Sequence, residues 1–111
     1  KKPDIVGFGH IHTSFIVRFN NKTLFNPGSV GISVEMMNSD LNDPSNKFST
    51  LASYIIIEGY YGDQNLSPIS FNLVRLPYDI KKEIKDVENS DMPNKKMVIR
   101  SLKGALPTVY D

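Results

Sequence analysis

The only two histidines of the chain stand two residues apart, in Gly9-His10-Ile11-His12. Imidazole is a metal ligand and proton carrier near neutral pH. In extended chain, residues i and i+2 project to the same side, with Cα atoms roughly 6–7 Å apart. Both rings are therefore expected to reach into one pocket, each able to bind a different ion of a pair. Two-metal sites hold their ions roughly 3.5–4 Å apart, clamp a phosphate oxygen and activate water for in-line attack on phosphorus. Because neutral imidazole is the ligand form, such binding weakens in acid. Gly9 lets the backbone turn sharply and approach closely at a ligand-bearing corner. Taken alone, the motif also describes a strand-end pair hydrogen-bonded to its neighbours, and for a bare pair of histidines that is the commoner role.

The elements around the pair read as strands. Ile5 to Phe8 is a short apolar run, and Thr13 to Phe19 alternates with Thr13, Phe15, Val17 and Phe19 on one face. Asn20-Asn21-Lys22 reads as a tight turn, since Asn tolerates positive φ, and Thr23 to Phe25 as the return strand of a hairpin. Asn26-Pro27-Gly28-Ser29 then ends the hairpin; by itself Pro-Gly is a turn. From Asn38 to Thr50 the composition becomes Asn, Ser, Asp and Pro, the signature of a long surface loop. Ser53 to Glu58 and Ile69 to Leu76 are two further strands, expected to pair antiparallel.

After Pro77 the period changes. Asp79 is a good N-cap, with Ile80, Ile84 and Val87 at helical spacing and Lys81, Lys82, Lys85 and Glu88 facing outward. A second helix follows Asp91-Met92-Pro93, with Val98, Leu102 and Met97 inward and Gly104 as its stop. Five strands and two helices predict an α+β or layered α/β fold, residues 1–76 forming the sheet portion and 77–111 a helical extension of the same domain.

Composition narrows the function classes. With 13 basic and 12 acidic residues, a net charge of +1 and no polybasic block, electrostatics nominates neither nucleic acid nor anionic membrane. The basic residues of the helices alternate with Glu83, Asp86, Glu88 and Asp91 and read as a wet face; Tyr60-Tyr61 could stack on a base, though a structural use is the expectation. Without cysteine, disulfides and thiolate zinc sites are excluded, so any metal must use oxygen and imidazole. No apolar run approaches the roughly 20 residues of a membrane span and no signal-peptide pattern opens the chain. A soluble cytoplasmic protein is expected, although the chain opens on Lys1 rather than Met.

Asp4 to His12, the hairpin, Asn26-Pro27-Gly28-Ser29-Val30 and the strand Ser53 to Ile57, in this order and spacing over residues 4 to 76, resemble the end of the calcineurin-like metallophosphoesterases, small bacterial phosphodiesterases above all. The resemblance implies the C-terminal part of a two-sheet sandwich with flanking helices. It implies two divalent metal ions, manganese first and iron, zinc or nickel as alternatives, with His10 on the second metal and His12 on the first. The Asn26–Ser29 turn would back the site rather than ligate, and no catalytic residue of the family lies in the chain. The family's aspartate motifs, its Gly-Asn-His motif and its catalytic-acid histidine have no counterpart here. Neither does the arginine that many relatives carry after the turn, where this chain has Ile32-Ser33-Val34-Glu35. Glu35, Asp40 and Asp43 are expected to be solvated rather than replacement ligands.

What the resemblance implies is a metal-dependent phosphoric ester hydrolase, a phosphodiesterase or phosphatase acting on a small phosphoester. An N-terminal half of the same fold would be its necessary partner, and this segment alone would be inert. The alternative is a non-catalytic protein-binding scaffold of that fold, and a third reading is an independent domain with a structural histidine pair.

Overall fold

The computed structural model describes residues 2–35 and 47–104. The chain order is β1 (Ile5–Gly7), β2 (Phe15–Phe19), β3 (Lys22–Asn26), β4 (Ser33–Glu35), β5 (Lys47–Ser49), β6 (Leu51–Gly59), β7 (Ile69–Pro77), α1 (Ile80–Glu88) and α2 (Lys95–Leu102). The fold is thus mixed strand and helix, with strands in three small sheets ordered β1-β3-β2, β4-β5 and β6-β7.

The β2–β3 hairpin forms where the sequence places it. Asn20 and Asn21 take φ of +48° and +59°, the left-handed pair of a tight hairpin turn whose twist matches the flanking strands. β3 then pairs antiparallel with β2 and parallel with β1, aligning Val6, Leu24 and Val17 across the sheet. Directly opposed residues share a face, so Ile5, Gly7, Thr23, Phe25, Ile16 and Arg18 lie on the other side. On that side the Phe25 ring lies over Gly7, where a Cβ would overlap it. Phe25 also meets Phe71 of β7 with ring centroids 5.9 Å apart, a tilted contact that joins the sheet to the β6–β7 hairpin.

The Val6 side is open. Val6, Leu24 and Val17 are 43%, 41% and 49% exposed, flanked by Phe19 and by the Phe8–Phe15 ring pair. Among the described residues the buried apolar side chains are Ala52, Val87 and Leu102. Burying a Val or Leu stabilises by about 1.5–3 kcal/mol, so Val87 and Leu102 are the main cement of the helical layer. α1 packs on α2 and α2 on β5.

The helices follow their caps. The Asp79 carboxylate accepts the Lys82 N–H at 3.0 Å and starts α1, while Gly104 at φ +78° follows α2. Met97, expected inward, is half exposed; the inward positions are taken by Val98, Ile99 and Leu102, and the Ser101 hydroxyl folds back onto the Met97 carbonyl. The long loop expected over Asn38 to Thr50 lies outside the described residues up to 46, and its end is strand β5. β5 pairs with β4, a three-residue strand that carries too little alternation to be read in isolation. No helix among the described residues is long and apolar enough to cross a membrane.

Candidate metal-ligand loop

Between β1 and β2 the chain makes a corner that holds both histidines. Phe8 continues the β1–β3 ladder by one bond, its N–H donating to the Phe25 carbonyl at 3.1 Å. The extended geometry then stops. Ile11 N–H donates to the Gly9 carbonyl at 2.9 Å around His10, whose φ is +71°. An i to i+2 bond around a residue near φ +75° is the rarer, strained form of the γ-turn. This corrects the extended-strand premise for the histidine pair: the two imidazoles are presented by a tight turn, not by alternation along a strand. Ile11 lies 49% exposed at the corner.

Positive φ in a residue other than glycine costs on the order of 1–2 kcal/mol and persists only where the surroundings impose it. Here they do. Asn26 at the end of β3 is wholly buried; its Nδ2 donates to the Gly9 carbonyl at 3.4 Å, and its Oδ1 accepts the Gly28 N–H at 2.9 Å. At the other end of the corner the His12 carbonyl accepts the Val34 N–H of β4 at 3.0 Å. The Asn26–Ser29 turn thus backs the loop, with the Asn26 amide engaged by backbone on both sides.

The turn is itself fixed. Gly28 sits at φ +83°, and a Cβ there would stand 3.1 Å from the Cβ atoms of both Ser14 and Ser53. The Ser29 hydroxyl accepts N–H bonds from Gly31 and Ile32 at 3.3 and 3.1 Å, and the Ser29 carbonyl accepts the Ser53 N–H of β6 at 2.9 Å. The Tyr78 hydroxyl donates to the Gly31 carbonyl at 2.9 Å. Partial burial pushes the Tyr78 phenol above its ordinary pKa, and the nearby Glu83 carboxylate adds to the shift.

Both histidines are exposed, and among the described residues neither imidazole has a hydrogen-bond or ion-pair partner. That is not the geometry of a strand-end pair satisfied by its neighbours. Two buried hydroxyls close to the corner, Thr13 Oγ1 beside His12 and Ser53 Oγ beside Gly28, lack a protein partner. Unpaired buried polar groups cost about 1–3 kcal/mol each and call for an explanation where they occur.

Glu35 is held by charge: its carboxylate pairs with the Arg75 guanidinium of β7, which also donates to Ser49 Oγ at 3.1 Å. Asp40 and Asp43 lie outside the described residues. Among the described residues no group of three or more histidine, aspartate, glutamate or cysteine side chains comes together. Sequence reading missed the Asn26–Gly9 contact, though Asn before Pro-Gly is a signal for a side chain that bonds nearby backbone. The bond from Tyr78 to the Gly31 carbonyl, 47 residues away in the chain, has no local sequence signal. No family model matches the chain, and neither a curated protein nor a solved structure matches it.

Proposed function

We propose that His10 and His12 are the final ligand motif of a binuclear metal centre in a metal-dependent phosphoric ester hydrolase. The observation that carries this reading is the corner itself: a histidine at φ +71°, two exposed imidazoles without partners among the described residues, and a buried asparagine pinning the loop from behind. Strain of this kind concentrates where geometry serves a ligand. The donor set fits a divalent transition metal such as manganese, iron, zinc or nickel, since neutral imidazole suits these ions. Such a centre, when bound, neutralises phosphate charge and supplies an activated water. Two imidazoles are one rim of it; carboxylates and an acid from an N-terminal portion of the same sandwich complete it.

The open Val6–Leu24–Val17 face supports that sandwich, because a sheet face this apolar needs a covering layer. It equally favours a second reading, a protein-binding scaffold of the same fold without chemistry. Metal analysis and hydrolysis of an activated phosphodiester by the protein that contains this chain separate the two. The hydrolase reading expects two transition-metal ions per chain and metal-dependent turnover lost in H10A and H12A. Turnover that survives either substitution, or needs no divalent metal, sinks it.

A further inference from the structure

The β6–β7 hairpin carries a feature that the histidine corner does not use. From Tyr54 to Asn72 it contains no lysine or arginine, only the carboxylates Glu58 and Asp63. At its end Tyr60, Tyr61 and Leu66 are 71%, 107% and 99% exposed. Beside them lies a cleft of about 330 Å³ lined by Glu58, Gly59, Tyr60, Pro68, Ile69 and Ser70. Glu58 Oε2 accepts from Ser70 Oγ at 3.3 Å, and Glu58 enters none of the ion pairs among the described residues.

We propose that this hairpin end docks an arginine-bearing segment of a protein partner. The chemistry of the cleft is that of an arginine side chain in negative. Glu58, Tyr60, Pro68 and Ile69 all line the cleft, so the Glu58 carboxylate can take the planar guanidinium, Tyr60 offers a ring for a cation–π contact, and Pro68 and Ile69 offer apolar cover for the methylene stem. Tyr61 and Leu66 add exposed apolar surface at the same hairpin end, and tyrosine and arginine are among the side chains enriched as interface anchors. The hairpin end contributes two carboxylates and no base of its own, a charge that disfavours nucleic acid and anionic lipid and matches a cationic protein segment as the occupant. Gly59 lies six strand residues beyond Ser53, about 20 Å along β6 from the turn that backs the histidines. The docking site therefore stands apart from the metal-ligand corner and does not rest on the hydrolase reading.

The test is a titration of the isotopically labelled protein, followed by amide NMR, with a capped pentapeptide holding arginine between leucines and with its citrulline twin. Saturable shifts centred on Gly59, Tyr60, Ile69 and Ser70 are expected. An exposed ion pair plus a cation–π contact contribute only weakly, so the affinity for a single arginine is expected to be no tighter than millimolar, roughly 1–100 mM. Citrulline, E58Q and a rise from about 50 to about 300 mM salt should each weaken it roughly two- to fivefold, and Y60A by a similar factor. H10A and H12A should bind the peptide unchanged, which keeps this result separate from the metal assay. Equal binding of the citrulline peptide, indifference to E58Q, or shifts centred elsewhere overturn the proposal. So does a hairpin end that binds phosphatidylcholine vesicles but does not distinguish the peptides.

Discussion

Replacing His10 by glycine and by alanine isolates the strain at the corner. His10 is exposed and its imidazole has no partner among the described residues, so removing the ring forfeits little packing. Both variants lose the same side chain, and what remains between them is the backbone at φ +71°. A left-handed conformation costs an L-residue about 1–2 kcal/mol, a cost that glycine escapes. Against this, glycine gives the unfolded chain more freedom, about 0.4–1 kcal/mol in the opposite direction. The difference leaves H10G more stable than H10A by about 0.8 kcal/mol at the centre of a range of roughly 0–1.6 kcal/mol, or roughly 3–6 °C in Tm for a domain of this size. Urea unfolding with matched slopes is the assay, since an altered slope signals a changed denatured state instead. H10A exceeding H10G in stability refutes the positive-φ turn and the argument built on it. Under the metal reading both variants lose metal equally, so glycine would raise stability relative to alanine without restoring function.

Other positions test the scaffold behind the loop. N26A removes a wholly buried amide and strands the Gly28 N–H and the Gly9 carbonyl; it should cost about 1–3 kcal/mol in chemical denaturation, with faster exchange of the Gly28 amide, and unchanged exchange there contradicts the clamp. G28A faces both φ +83° and contacts at 3.1 Å, so a loss of about 2 kcal/mol or more is expected in thermal melts. For Tyr78 the folded pKa lies above the unfolded value of 10.0. Its contribution is therefore full below about pH 10 and lost as pH rises through the folded value. Y78F should be about 0.5–1.5 kcal/mol less stable at neutral pH through the lost bond to Gly31, and that gap should close in alkaline melts; a gap constant past pH ~11 argues against a phenol held in its protonated form.

Most of the elements were legible because their signals are local. Paired asparagines announce the hairpin turn, Asp79 caps the helix whose spacing places Val87 inward, and alternation marks β6 and β7. The short strands β4 and β5 were not legible. Three residues hold too little pattern, and their pairing joins chain segments on either side of a polar stretch. The inward placement of Met97 failed because Ser101 and Leu102 share the buried end of α2 and leave the longer side chain outside.

The histidine motif divides the same way. By itself the sequence determined which side chains could do chemistry, the absence of thiolate alternatives, and the Asn-Pro-Gly-Ser turn downstream. Only the tertiary structure decided how the histidines are presented. Spacing implied an extended strand, but Asn26, buried across β3, and Val34, from a strand beyond the turn, hold Gly9 and His12 so that His10 takes the left-handed backbone. Backbone strain is set by long-range hydrogen bonds that no local propensity encodes. The open face of Val6, Leu24 and Val17 also emerged only from register, since alternation shows that two faces exist but not which one the fold covers.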